Sequence, residues 1–203
     1  MRIVSLYPGS WGSNCYLLIS GTHAAVVDPS VKPEKILNVL QNEGAMLDCI
    51  LLTHGHFDHI VSIDALRKIT AVPVMIHEQD AELPSDARKN GFYSFFRMEQ
   101  TYPTPDVQLR SNEVLKLGDE EIRVIHTPGH TAGSVCFLCN NEFLLTGDTL
   151  FDGGRGRTDL YGGNEAQIWI TLQNMRALPQ TLPIYPGHGA PSTLGIALDN
   201  VIY

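Results

Sequence analysis

Seven residues with metal-binding side chains lie in four short stretches of this chain of 203 residues. The densest stretch is LLTHGHFDHI, residues 51–60, while TPGHTAGS and YPGHGAPS each place a histidine directly after Pro-Gly, and FLLTGD ends in an aspartate. Imidazoles and carboxylates are ligands by which proteins hold zinc, iron and manganese. The pattern predicts a site for divalent transition metals whose ligands are His54, His56, Asp58, His59, His130, Asp148 and His188.

Apolar segments typical of buried strands precede these stretches. LDCILLT leads into His54, FLLTG into Asp148 and PIYPG into His188. Loops beyond the carboxyl ends of strands are where α/β folds place functional side chains. His54 and His56 alternate along an extended segment, so both project to the same side. We therefore expect the stretches to converge in space.

The number of ligands bears on the number of metals. Seven protein ligands exceed the four of a tetrahedral zinc ion, so two metals that share a ligand are the economical interpretation. Two dications about 3.5–4 Å apart repel each other unless anions lie between them, which makes a bridging carboxylate and hydroxide physically expected. The sequence thus predicts two divalent metal ions, with zinc preferred and iron or manganese as alternatives.

The order of predicted elements indicates a single α/β domain over residues 1–203. In the first half RIVSL, NCYLLIS, HAAVV, LDCILLT and VPVMIH predict strands, and KPEKILNVLQNEG and HIVSIDALRKIT predict helices. The second half predicts hairpins that turn at Gly118-Asp119 and Asn140-Asn141, then helix NEAQIWITLQNMRAL, strand PIYPG and a terminal helix in STLGIALDNVI. Since both halves follow the same plan, we expect two packed sheets with helices outside.

The stretch from residue 80 to residue 112 does not fit this plan, because its aromatic residues show little periodicity. They are Phe92, Tyr93, Phe95, Phe96 and Tyr102. The favoured interpretation is a long excursion whose rings pack on the core. The alternative is a lid or a wall of the substrate site.

Composition and charge exclude several classes of protein. The formal net charge is −8, which argues against a general nucleic-acid binder. The amino terminus has no long apolar run and no segment reaches the ~20 apolar residues of a membrane span, so we expect a cytoplasmic protein. Four cysteines are too few for a disulfide framework in a chain of this length. Cys136 and Cys139 lie three apart in a predicted strand and point to opposite faces, which favours a structural role.

Four motifs together, THGHFDH, TPGHTAGSV, GDTLF and PGHG, resemble the metallo-β-lactamase superfamily over nearly the whole chain. The resemblance implies an α+β fold, a four-layer αββα sandwich. It assigns three ligands to each metal and makes Asp148 the bridge. The first metal takes His54, His56 and His130, and the second takes Asp58, His59 and His188. His23, His77 and His126 match no ligand motif and are expected to be structural.

Water bound to such metals loses a proton near neutral pH and attacks a polarised carbonyl carbon, and Asp58 is placed to orient it as the catalytic carboxylate. Within the superfamily the sequence is most similar to the short bacterial glyoxalase II-like hydrolases, which implies hydrolysis of S-lactoylglutathione or a related small anionic thioester. Arg157 stands where that family contacts the thiol carrier. The family's tyrosine position is occupied by Asp159, and Tyr161 lies nearby, so Arg157 and Tyr161 are the predicted substrate-binding residues.

Other activities of the same fold stay open at this point. The GRTD segment also resembles persulfide dioxygenases, which use a single iron, and lactonases share the HxHxDH centre. A non-catalytic metal-binding module is a remote alternative, because no ligand position is empty. No nucleic acid or membrane is expected as a partner, and the sequence leaves the oligomeric state open.

Overall fold

The computed structural model describes residues 1–6 and 10–201. The first half of the chain forms one six-stranded sheet and the second half forms another. The first sheet has the order β1-β2-β3-β4-β5-β6 and the second has the order β12-β11-β10-β9-β8-β7. The strands of the first sheet are β1 Arg2–Ser5, β2 Tyr16–Ser20, β3 His23–Val27, β4 Met46–Leu51, β5 Val74–His77 and β6 Val107–Leu109. Those of the second are β7 Val114–Leu117, β8 Glu120–His126, β9 Val135–Cys139, β10 Phe143–Gly147, β11 Pro183–Pro186 and β12 Ser192–Thr193.

The helices connect these strands or follow them. Their bounds are α1 Pro33–Glu43, α2 Ile63–Thr70, α3 Phe92–Phe96, α4 Glu165–Met175 and α5 Leu194–Asn200. The sequence explains the ends of α1, because proline occupies its first turn and Gly44 follows it with a left-handed φ of 62°. Within the described ranges, no helix combines the length and apolar character that a membrane crossing requires.

Three apolar layers define the architecture. Between the two sheets, Leu18 and Val27 of the first sheet meet Val124 and Phe137 of the second. The outer face of the first sheet buries Ile36 of α1 and Leu66 of α2. The outer face of the second buries residues of α4 and α5, among them Ile168 and Leu194. The order helix, sheet, sheet, helix confirms the predicted αββα sandwich.

The directions of the strands place the loops that carry the predicted metal ligands at one edge of the sandwich. In the first sheet β4 runs parallel to both β3 and β5, and in the second β10 runs parallel to β11. The carboxyl ends of parallel neighbours emerge at the same edge of a sheet. The loops after β3, β4, β10 and β11 therefore leave the sheets where the predicted ligands begin.

Most predicted elements are confirmed, including the hairpin of β9 and β10 with left-handed φ values of 49° and 56° at Asn140 and Asn141. The pair Cys136 and Cys139 faces different apolar layers of β9, and neither forms a disulfide. Two predicted helix starts were wrong. Helix α2 begins at Ile63 rather than at the histidine cluster, and α5 begins at Leu194 because Ser192 and Thr193 pair with β11.

Different aromatic residues of the stretch from residue 80 to residue 112 fit the two interpretations given above. Tyr102 packs against the core layer beneath the first sheet, as favoured. Phe95 is 52% exposed and lies with Phe96 at a cavity, which corresponds to the alternative of a substrate wall. The segment is also less irregular than expected, since it contains α3 and β6.

Candidate metal centre

The seven predicted ligand residues meet at the edge where the strands end. The loop after β4 carries His54, His56, Asp58 and His59, and the hairpin loop between β8 and β9 carries His130. Asp148 follows β10 and His188 follows β11. Their ligand atoms form two triads, within each of which all atoms lie within 4.8 Å of one another: His54, His56 and His130, and Asp58, His59 and His188.

The first triad is a buried group of three imidazoles. His56 Nδ1 lies 2.9 Å from His130 Nε2. The His54 ring centroid is 4.8 Å from that of His56 and 4.7 Å from that of His130, both nearly perpendicular to it. Three rings that meet edge on leave a central space lined by nitrogen atoms, which is the arrangement of three histidine ligands around one ion.

The second triad is more open and includes a carboxylate. His59 Nε2 and His188 Nε2 are 3.3 Å apart. Asp58 Oδ2 lies 3.2 Å from His188 Nε2 and 3.6 Å from His59 Nε2. A mixed nitrogen and oxygen set of this kind suits zinc, iron or manganese.

Asp148 lies between the two triads. Its Oδ2 is 3.6 Å from His130 Nε2 of the first triad and 3.5 Å from His188 Nε2 of the second. Its Oδ1 is 3.3 Å from His59 Nε2. One carboxylate thus reaches atoms of both triads, as a bridging ligand must.

Hydrogen bonds on the outer side of the rings fix which nitrogen faces the centre. His130 Nδ1 donates to the carbonyl of Arg157 at 2.7 Å and His188 Nδ1 donates to that of Gly12 at 3.1 Å. His59 Nδ1 lies 3.0 Å from Asp28 Oδ2. Because Nδ1 is engaged on the outer side in each case, Nε2 is the nitrogen that faces the centre and would bind a metal ion in its deprotonated form.

Buried polar atoms without partners test whether ions fit this centre. His54 Nε2, His56 Nε2 and Asp148 Oδ1 are buried and have no hydrogen-bond partner among the described residues. Such atoms are costly in a folded protein unless something satisfies them. The residues present therefore fit divalent metal ions.

The pKa values of these groups agree with a cation site. Burial, aided by the neighbouring imidazoles of His59 and His130, lowers the pKa of His54 well below its usual value. Burial and the imidazole of His130 lower the pKa of His56 to about 3. Burial opposes ionisation of Asp148, but the imidazoles around it, first that of His59, hold its pKa well below the ordinary value. In the first triad the centre thus offers neutral imidazoles beside an ionised carboxylate. Burial opposes protonation of His59, but the carboxylate of Asp148 raises its pKa, so a metal ion would displace a proton there.

Asp28 supports this centre and was missed from the sequence. It follows β3 with a left-handed φ of 49°, and its carboxylate accepts hydrogen bonds from the Thr53 backbone N–H at 2.8 Å and the Thr53 hydroxyl at 2.6 Å. It also lies close enough to His54 and His59 to form a third possible ligand group. Because both of its oxygens are already engaged, we interpret it as a residue that orients His59. The Asp-Pro that ends an apolar strand was the signal for it.

Asp80 was also missed and joins two ligand loops. Its Oδ2 accepts from Gly55 N–H at 3.1 Å and from the Thr131 hydroxyl at 2.6 Å, and its Oδ1 accepts from Gly133 N–H at 2.7 Å. Gly55 separates the first two histidines, and Thr131 follows His130. This fully buried carboxylate therefore fixes the relative position of the loops that hold the first triad.

The loop of His188 is held by the segment before β2. The side-chain Nδ2 of Asn14 donates to the carbonyls of Pro186 and Gly189, both at 2.9 Å. The Tyr16 hydroxyl also donates to the Pro186 carbonyl, at 2.7 Å. Gly187 must lack a side chain here, since a Cβ atom would lie 2.1 Å from Asp148 Oδ1.

A cavity of about 360 Å³ opens beside the two triads, within the size range of small-molecule sites. The ligand residues that line it are His56, Asp58, His130, Asp148 and His188. The other lining residues are Trp11, Phe57, Asn90, Gly91, Phe95, Phe96, Phe151, Arg157 and Leu160. A substrate in this cavity would contact the metal centre on one side and mostly rings on the other.

The two predicted substrate-binding residues differ in position. Arg157 lines the cavity, and its guanidinium donates to both carboxylate oxygens of Asp159, from Nε at 2.6 Å and from Nη2 at 2.7 Å. Tyr161 is not among the lining residues; it is 48% exposed and its hydroxyl donates to Glu82 at 3.1 Å. The structure thus brings Arg157 to the cavity and does not bring Tyr161 there.

An αββα sandwich with two ligand triads at one edge, one of three histidines and one of two histidines and an aspartate, defines a class of metal-dependent enzymes. The chain belongs to the metallo-β-lactamase superfamily, whose family model matches residues 8–188. It is 34% identical over 179 residues to the probable metallo-hydrolase YqgX of Bacillus subtilis (strain 168), covering 87% of this chain and 85% of YqgX.

Two crystal structures are similar to this chain over nearly its whole length. That of the B3 metallo-β-lactamase BLEG-1 has a TM-score of 0.90 and 32% identity, with 98% of this chain and 97% of BLEG-1 covered. That of TTHA1623 in a di-iron-bound form has a TM-score of 0.82 and 32% identity, with 97% and 96% covered. Family, fold and ligand cluster together support a metallo-hydrolase.

Proposed function

We propose that the protein hydrolyses a small anionic thioester of the glyoxalase II type at a centre of two divalent metal ions, preferably zinc. The observation that carries the proposal is the position of Asp148 between two ligand triads that line one cavity. Metal ions, when bound, lower the pKa of water and polarise a carbonyl oxygen. The similarity to TTHA1623, which was crystallised with two irons, supports a centre for two metals and keeps iron as an alternative.

The protein residues have separate tasks in this proposal. His54, His56 and His130 would hold one ion, and Asp58, His59 and His188 the other. Burial opposes the ionisation of Asp58, but the neighbouring His59 and His188 lower its pKa, so it is ionised and able to accept a hydrogen bond from the attacking water. No covalent intermediate on the protein is needed for this reaction.

Arg157 is proposed to bind the anionic, thiol-derived part of the substrate. Its guanidinium lies at the cavity and half of its side chain is exposed. A carboxylate of the substrate would compete with Asp159 for the same two donors, since a guanidinium binds carboxylates in a bidentate manner.

Hydrolysis of a β-lactam is the second candidate, because the similarity to BLEG-1 extends over nearly the full length of both chains. Both reactions begin with attack of water on a carbonyl carbon, so the same triads serve either one. The deciding experiment measures kcat/KM of the zinc-loaded protein on S-lactoylglutathione, simpler thioesters and a penicillin. Thioester turnover abolished by a chelator and restored by zinc supports the proposal. Turnover of the penicillin alone would replace it with the second candidate.

A further inference from the structure

Four aromatic residues, Trp11, Phe57, Phe95 and Phe96, form a continuous surface that we term the aromatic wall. The ring centroids of Trp11 and Phe96 are 4.9 Å apart. The ring centroid of Phe57 lies 5.7 Å from that of Phe95 and 5.7 Å from that of Phe96. All four line the cavity that the metal ligands also line. The wall therefore belongs to the same space as the reacting carbonyl group.

The exposure of the wall is unusual for rings of this size. Trp11 is 60% exposed and Phe95 is 52% exposed, whereas Phe57 behind them is 6% exposed. Exposed apolar surface that is contiguous, rather than scattered, marks a place where something else binds. Here it adjoins a cavity beside a metal centre, so the occupant that it fits is part of the substrate.

Polar groups along this side of the cavity are already engaged. Asn90 donates through Nδ2 to the Pro84 and Gln100 carbonyls, and its Oδ1 accepts from the Phe92 N–H. Arg157, whose guanidinium carbon lies 5.4 Å from the centroid of the Phe95 ring, is assigned to the thiol-derived part of the substrate and is therefore not a partner for the acyl group. A hydroxyl group placed against the wall would lose water without gaining a partner, which is unfavourable.

We infer that the aromatic wall binds the acyl group of the substrate and that this group is apolar, either an alkyl chain or an aryl ring. The inference rests on the proposed function for the reaction and for Arg157, which is assigned to the thiol-derived part and so leaves the wall to the acyl part. The substrate that we infer is therefore an alkanoyl or aroyl thioester, rather than the hydroxyacyl thioester of the glyoxalase II reaction.

The test compares thioesters of glutathione that differ only in the acyl group: acetyl, butyryl, hexanoyl, benzoyl and lactoyl. Burial of each added methylene on the wall raises kcat/KM about fourfold, as the free energy of methylene transfer predicts. Trp11→Ala and Phe95→Ala lower kcat/KM for the hexanoyl and benzoyl thioesters about tenfold or more, and lower it by a smaller factor for the acetyl thioester. Both side chains are mostly exposed, so neither variant is expected to unfold the protein.

The matched control is Met98→Ala, because Met98 is 65% exposed in the same segment but does not line the cavity. This variant should keep the wild-type preference among acyl groups. The inference would be overturned by equal kcat/KM values for all acyl groups or by a higher kcat/KM for lactoyl than for butyryl. It would also be overturned if the Met98 variant lost as much kcat/KM for the hexanoyl and benzoyl thioesters as the wall variants do.

A binding measurement separates this inference from the proposed reaction. The chain has two tryptophans, so in a Trp169→Phe background the emission reports on Trp11 alone. Hexanoate and phenylacetate should bind the zinc-loaded protein at least tenfold more tightly than acetate and shift this emission, whether or not any thioester is hydrolysed. Equal affinity for the three carboxylates would refute acyl binding by the aromatic wall. Tight binding of hexanoate and phenylacetate without thioester turnover would refute only the proposed function.

Discussion

Asn14 holds the loop of His188 from both sides. Its side-chain amide donates to the carbonyl of Pro186, two residues before His188, and to that of Gly189, directly after it. Its backbone N–H donates to the Gly187 carbonyl at 2.6 Å. This residue, which is 2% exposed, therefore fixes the one histidine of the second triad that comes from the far end of the chain.

Replacement of this amide should weaken the second metal selectively. In Asn14→Ala the His188 loop loses two hydrogen bonds, and losses in the surroundings of a ligand typically reduce metal affinity 10–100-fold. Stepwise zinc titration against a chromophoric chelator should show one affinity unchanged and one lowered by about that factor. Asn174→Ala, an exposed asparagine of α4, serves as the control. Equal weakening of both sites would instead mean a general loss of stability.

Asp148→Ala should disturb both metals, because only this carboxylate among the seven ligand residues is proposed to bridge them. We expect the wild-type protein to bind close to two metal ions per chain and this variant to bind neither tightly, as measured by elemental analysis after dialysis. Asp152→Asn changes an exposed carboxylate four residues further on and should retain the wild-type content. A wild-type content that stays at one under excess metal would refute the centre of two metals.

The pair of Arg157 and Asp159 gives opposite predictions for its two members. Arg157→Ala should raise KM for an anionic thioester by a factor corresponding to about 1–3 kcal/mol, the usual loss for a charged hydrogen bond. Asp159→Asn frees the guanidinium from an exposed ion pair and should lower the same KM, by a smaller factor than the Arg157 variant raises it. A thioester without charge on its thiol part is the control. An unchanged KM in the Arg157→Ala variant would show that Arg157 is an ordinary surface charge that does not bind the substrate.

The sequence predicted that the seven candidate ligands would converge, because each lies in a loop that follows an apolar strand or in a Pro-Gly turn, and the structure brings them together. Asp28 also follows an apolar strand, but the sequence does not show that it orients a ligand, and Asp80 and Asn14 carry no such signal. Asp80 acts on a loop 51 residues away and Asn14 on one 172 residues away, so their roles depend on how the sheets pack. A wall of the substrate site was only the alternative interpretation of the aromatic stretch, since period and composition do not show whether a ring faces the core or a cavity.

The four cysteines should not react in the native protein. Burial is the main cause that raises the pKa of Cys15 and of Cys49 to about 12 and that of Cys136 to about 11, and it also raises the pKa of Cys139. Because only the thiolate reacts, at pH 8 less than about one part in a hundred is reactive, and alkylation should rise only as the pH approaches these values. Mass spectrometry after iodoacetamide treatment should find none modified in the folded state and four in guanidinium chloride. Rapid native alkylation of Cys136 or Cys139 would contradict a structural role for that pair.

Oxygen dependence separates the hydrolase from the dioxygenase alternative. The two activities would share the ligands His54, His130 and Asp148, so the ligand set does not distinguish them. A hydrolase needs only water and a Lewis acid, and zinc supplies that without redox chemistry, whereas a dioxygenase needs iron that can bind O₂. The second triad and Asp148 lie beside the first triad, so a second ion would fill space that such an iron must keep open.

We therefore expect the zinc-loaded protein to hydrolyse its thioester at the same rate under strictly anaerobic conditions as in air. The measurement follows thiol release in a glove box, with the His56→Ala variant as the inactive control. An iron-loaded sample should consume no oxygen in the presence of glutathione persulfide. Oxygen consumption by that sample, together with an absence of anaerobic hydrolysis, would instead identify the protein as a dioxygenase, because zinc cannot supply the electrons that O₂ activation requires.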